Sequence, residues 1–190
     1  MTTMTATNGR TTSIACGLFA LCLFGTVAND GTVSAFFAVG AAAVFAVVLT
    51  RLTHGDSAWF TAARTLGTAV VAGLLVSAAL RGAIAHLTGH EELPLPSADV
   101  LNYSTALDHM LLNVPVMAAL ALVIGAISVA TLRTFRWTAY VGIGAAVVVL
   151  AAVVLQIGAY AIPAVLLWVL CQAVARWHST PEQSGAARHA

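Results

Sequence analysis

Apolar residues in this chain come in long unbroken runs, unlike the period-2 alternation of a half-buried strand or the narrow stripe of a surface helix. The first run spans about 14–28 and is closed by Asn29, Asp30 and Gly31. The second spans 33–50 and gives way to Arg51, the LTHGD island and Ser57, and the third spans 58–87. After the one substantial polar loop, TGHEELPLPSADVLNYS, a fourth run covers 110–132 and stops at Arg133 and Arg136. The stretch from Trp137 to Val174 is too long for one crossing. The segment QIGAYAIP, with Gln156, Gly158 and Pro163, supplies a turn that divides it into 140–155 and 160–175. Runs near the ~20 residues that cross a hydrocarbon core predict an all-α, polytopic membrane helical bundle of about six transmembrane helices. The polar ends, 1–12 and 178–190, are expected to be disordered tails. The first run is short, with Arg10 ahead of it and GTVA at its end, which also fits a signal peptide cleaved after Ala28.

Composition agrees with the runs. The 190 residues are 60% hydrophobic and only 8% charged, with a mean hydropathy of +0.94, whereas soluble domains carry about a quarter charged residues. A net charge of +1 gives no footing for nucleic acid or an acidic substrate, so the lipid bilayer is the expected environment. All eight basic residues are Arg, a bias that fits a GC-rich bacterial genome. Arg10, Arg51, Arg64, Arg133, Arg136, Arg176 and Arg188 fall on one side of a six-span layout. The other side holds Asp30, Glu91, Glu92, Asp99 and Asp108 with only Arg81. By the positive-inside rule the Arg side is cytoplasmic, which places both termini there and the chain in the cytoplasmic membrane of a bacterium as a multi-pass protein. Cys16, Cys22 and Cys171 form no CxxC pattern and read as packing residues.

Two features point to helix packing before chemistry. In the third run Thr65, Ala69, Gly73, Ser77 and Arg81 recur every four residues, a small-residue row that lets a neighbouring backbone approach closely in lipid. The Ala69, Gly73 and Ser77 face can serve the bundle interior, a homodimer or a membrane protein partner. In the fourth run Pro115 removes one main-chain hydrogen bond and predicts a kink beside His109 and Asn113, which share a face at i and i+4. Asn113 can then satisfy a freed carbonyl or reach across to a neighbouring helix.

Candidate chemistry collects where the third and fourth runs meet the polar loop. Arg81, His86, Asp108, His109 and Asn113 form the candidate ligand-binding set. Arg81 is within plausible reach of Asp108, because consecutive antiparallel spans lie side by side. Thr105 to Asp108 also matches a capping box, which would make Asp108 a first-turn acid favoured by the helix dipole. As catalytic candidates, Asp108 would act as a general acid and His109 as its partner. His86 and His90, four apart, with Glu91 or His109, are a weak metal pattern, since Gly89 reads as a helix end that would throw His90 off the face of His86. Haem held between His86 and His109 is weaker still, so no cofactor is expected. Arg51, His54, Asp56 and Arg64 could meet an anion, but positive-inside anchoring accounts for them. Trp59, Trp137 and Trp177 read as an interfacial belt. Gln156, Tyr160 and Gln172 read as interhelical hydrogen-bond partners.

There is no GxSxG, P-loop, HExxH or Asp-rich diphosphate motif, nor the paired broken spans of an inverted-repeat transporter. The L-D-H at Leu107 to His109, the PVMAALAL segment at Pro115 to Leu122, TLRTFRWTAY at Thr131 to Tyr140 and LLW at Leu166 to Trp168 together resemble a group of uncharacterised small six-span integral membrane proteins of actinobacteria, over about residues 102–177. That resemblance implies the fold and the cellular location and no catalytic residue. The expected function is therefore a non-enzymatic membrane protein that recognises a lipid, small ligand or membrane partner at the extracytoplasmic mouth between spans three and four. A membrane-embedded enzyme acting on an isoprenoid-like substrate and a small transporter or transporter subunit stand as alternatives.

Overall fold

The structure, a computed structural model, describes residues 3–29, 31–89 and 97–178. Its helices are α1 (Thr3–Ala28), α2 (Gly31–Leu52), α3 (Ala58–Gly89), α4 (Ala98–Leu111), α5 (Met117–Thr131), α6 (Arg136–Val154) and α7 (Ile162–His178). A π-helical segment, Leu112–Val116, joins α4 to α5, and a 3-10 turn, Gly158–Ala161, leads into α7. No strand occurs among the described residues. The helices make six stretches long and apolar enough to cross a membrane, with α4, the π segment and α5 counting as one.

Each span packs on the next in sequence, with α3 meeting α5, and α7 returns to α1, so the bundle is a closed ring. One continuous apolar core fills it, with the rings of Phe19 and Phe45 tilted against each other at 5.1 Å. The outer faces stay apolar as well: Leu21, Phe36, Leu122, Val147 and Leu167 are all exposed. A ring that is apolar inside and outside buries its outer face in lipid tails rather than in protein. Trp59, Trp137 and Trp177 are each half exposed at the Arg-rich end, as an interfacial belt requires.

Two helices begin earlier than their apolar runs. The stretch expected to be a disordered tail is helical from Thr3, and α7 extends past the apolar limit of α1 alongside Arg10 and Ser13. Thr12 and Ser13 are buried, Ser13 Oγ donates to the Ala173 carbonyl, and Arg10 lies 5.6 Å above the Trp177 ring. The fourth span starts at Ala98 rather than near Met110, capped by Ser97, whose hydroxyl accepts the Val100 N–H. With 32 residues in α3 and 34 in Ala98–Thr131, these two spans reach roughly 50 Å against ~30 Å of hydrocarbon. They therefore project as a helical hairpin beyond the other spans.

The small-residue row in α3 turns gradually around the helix, since four residues advance 40° past a full turn. Thr65 and Ala69 are exposed on the outside, whereas Gly73 and Ser77 face the bundle. A methyl group on Gly73 would sit 2.4 Å from Val116 Cγ2, so a bare backbone at this position lets α3 approach the π segment.

Two of the turns between spans are closed by hydrogen bonds that helix ends demand. At the end of α2, Arg64 donates to the Thr53 carbonyl, to Gly55 O at 2.9 Å and to Thr53 Oγ1 at 3.1 Å. That role accounts for Arg64 without any bound anion. After α6, Gln156 takes a left-handed φ of 59°, with Gln156 N–H on Val153 O and Ile157 N–H on Ala152 O, both at 2.9 Å. This is a Schellman closure with glutamine where glycine is usual. Gln156 is thus an exposed turn residue, and Tyr160 is exposed too, so neither is the interhelical partner its isolation in an apolar run suggested.

Candidate functional site

The site grows from the inward-turning end of the α3 row. Ser77 and Arg81 are one turn apart and face α4, where Asp108 is buried. Ser77 Oγ donates to Asp108 Oδ1, and Arg81 Nε donates to Asp108 Oδ2 at 2.8 Å. The guanidinium also reaches α1 and α2: Nη1 donates to the Thr26 carbonyl at 2.8 Å and to Ser34 Oγ. Ser34 Oγ in turn donates to the same Thr26 carbonyl at 2.7 Å. Thr26 lies in the last turn of α1, where carbonyls lack helical partners and a cation is favoured by the helix dipole.

Four helices are thereby joined through one ion pair. Such a pair stabilises only if the rest of its hydrogen-bonding capacity is met, because desolvating two charges costs several kcal/mol each. Ser77, Ser34 and Thr26 meet much of that need. The capping-box reading of Asp108 does not hold. α4 is already three turns long at this residue, and the Thr105 hydroxyl donates to Leu101 O at 2.9 Å inside the helix rather than capping it.

Beside the ion pair lies a cavity of about 330 Å³. Its polar end is formed by Arg81, Asp108, Ser34, Asn29 and His109, and it deepens between Phe19, Leu74, Val116 and Leu120 of the core. Arg81 and Asp108 offset each other, so this end is rich in hydrogen-bonding groups but carries no net charge from them.

The wall that packs beside α3 depends on Pro115. Without an N–H at residue 115 the helix widens into the π segment, and Met117 N–H bonds to the Leu112 carbonyl five residues back. Asn113 bridges the break: its Nδ2 donates to His109 O at 2.9 Å, and its Oδ1 accepts from Ala159 N at 2.7 Å. The second bond fastens the π segment to the turn ahead of α7. Gly158 is what permits the approach, since a methyl group there would lie 2.3 Å from the Asn113 carbonyl oxygen. Asn113, Ala159 and Ile162 all line the cavity.

Of the residues expected at the site, Arg81, Asp108, His109 and Asn113 all line the cavity. His86 is exposed on the projecting part of α3 and lies outside the cavity lining. His90 and Glu91 lie outside the described residues. Among the described residues no three His, Cys, Asp or Glu side chains converge as a metal site would need. Sequence reasoning missed Ser34, Thr26 and Ala159, because two of the three contribute main-chain atoms and the third is an ordinary serine at a helix start. No family model, no curated protein and no solved structure matches the chain.

Proposed function

We propose that this chain is a non-enzymatic multi-pass protein of a bacterial cytoplasmic membrane whose central cavity binds a single-chain amphiphile with an uncharged, hydrogen-bonding head. The observation that carries the reading is the cavity's chemistry, a charge-compensated polar end at Arg81 and Asp108 over an apolar depth. At about 330 Å³ it lies near the lower limit of small-molecule sites, ~300–1,000 Å³, which suits one chain rather than two. Arg10, Arg51, Arg64, Arg133, Arg136 and Arg176 lie at the opposite end of the helices from Arg81. The positive-inside rule then puts both termini in the cytoplasm and the polar end of the cavity, at Arg81 and Asp108, toward the extracytoplasmic side.

Asp108 is poorly placed as a general acid. Both of its oxygens are engaged by donors of the protein, so it is built into a helix junction instead of being presented to a substrate. The test is lipid analysis of protein purified in mild detergent, beside a Leu120→Trp variant whose larger side chain fills the cavity. Wild-type protein is expected to retain a neutral single-chain lipid near one equivalent and the folded variant to lose it. Equal retention by both would refute a cavity site.

A further inference from the structure

In the half of the bundle away from that cavity, α7 carries polar side chains into the core. Trp168 and Gln172 share one face at i and i+4, and both are almost fully buried, as is Ser128 on α5. Ser128 Oγ and Trp168 Nε1 converge on Gly142, where α5, α6 and α7 meet, and Gln172 lies one turn further along α7. A methyl group added to Gly142 of α6 would lie 2.0 Å from Ser128 Oγ and 2.6 Å from Trp168 Nε1. Yet Ser128 Oγ, Trp168 Nε1 and Gln172 Nε2 have no hydrogen-bond partner among the described residues.

Burying such a group unpaired is costly, and a bilayer supplies no water from the side to relieve it. An indole N–H and an amide NH2 are donors only, so what satisfies them must accept. The serine can do either. Water, which can accept two hydrogen bonds and donate two, matches this mixed set of donors and a hydroxyl. One turn further along α7, Arg176 places its guanidinium over the Phe135 ring at 5.8 Å, leading from the cluster to the Arg-rich end.

We propose that Ser128, Trp168 and Gln172 form an internal hydration site, one or two bound waters held between α5, α6 and α7. The site is separate from the amphiphile cavity and does not depend on it. Along α5 the order is Leu120, Ile124, Ser128, and along α7 it is Ile162, Val165, Trp168. Leu120 and Ile162 line the cavity, whereas Ile124 and Val165 are fully buried. A single apolar layer, one helical turn deep, thus divides cavity from water.

The test is NMR of protein carrying 15N-labelled tryptophan in lipid nanodiscs. Four indole signals are expected from the four tryptophans, and Trp168 is assigned by loss of its signal in Trp168→Phe. Should that variant misfold, Trp59→Phe, Trp137→Phe and Trp177→Phe assign it by elimination. The Trp168 indole proton should show direct cross-relaxation with water. An indole proton without a water cross-peak, persisting in D2O as long as the Ile124 and Val165 amides, would overturn the site.

Discussion

Arg81 Nε lies 2.8 Å from Asp108 Oδ2, and the same guanidinium extends to the Thr26 carbonyl at the end of α1. The pair thereby links the projecting α3–α4 hairpin to the first two helices and forms the polar end of the cavity. With side-chain exposures of 18% and 9% it is largely desolvated. Removing one partner should cost more than removing both.

Asp108→Ala is accordingly expected to destabilise the protein by about 3 kcal/mol, the low end for a buried pair whose cation keeps some solvent contact. The double variant Arg81→Met with Asp108→Leu should regain part of that loss. Unfolding by steric trapping in bicelles measures both. Strictly additive losses would mean that the two residues are not coupled.

The N-terminus of α4 is assigned to Ser97 rather than Thr105. Ser97→Ala should cost about 1 kcal/mol, seen as roughly fivefold faster hydrogen exchange at Val100 and its neighbours. Thr105→Ala, inside the helix, should change exchange little. The reverse pattern would restore the capping box at Asp108.

Gly158→Ala puts a methyl group 2.3 Å from the Asn113 carbonyl oxygen, whereas Gly144 has open space around it. The first substitution should lower stability by about 1–3 kcal/mol through overpacking and release of the Asn113–Ala159 bond. The second should be neutral or slightly stabilising, since alanine suits a helix better than glycine. Thermal unfolding in detergent compares them. Equal effects would show that the turn before α7 is not clamped to the π segment.

Val147 faces outward near the middle of α6. On a water-exposed helix Val147→Lys would be close to neutral, but at a bilayer centre a lysine costs about 2.5–3.5 kcal/mol in insertion assays. Reduced membrane insertion of α6 is the expected result. Unchanged insertion would contradict a lipid-facing position.

The six spans were legible because membrane helices are read from run length, and the runs end at Arg and at turn residues. Helix starts were less so. Ser97 and the Thr-rich stretch before Ile14 continue helices through polar residues, where apolar length gives no signal. The Arg81–Asp108 pair could be anticipated from antiparallel neighbours. The α3 row was half right: fourfold spacing brings Gly73 and Ser77 inward but swings Thr65 and Ala69 out. The Asn113–Ala159 bond spans 46 residues and ends on a main-chain N–H, so no side-chain pattern could reveal it. The convergence of Ser128 with Trp168 likewise depends on packing at Gly142.

Site-mapped photolabelling shows whether the cavity holds an amphiphile inside the ring. Protein in nanodiscs would be irradiated with a monoacylglycerol bearing a mid-chain diazirine, and the labelled residues read by mass spectrometry, with unlabelled monoacylglycerol or fatty acid as competitor. Labelling is expected at Leu74, Met117 and Leu120, displaced more readily by the uncharged competitor. Outer residues such as Phe36 and Val147 should be labelled without competition. Labels confined to the outer face, or interior labels that no competitor displaces, would mean that the cavity holds no amphiphile.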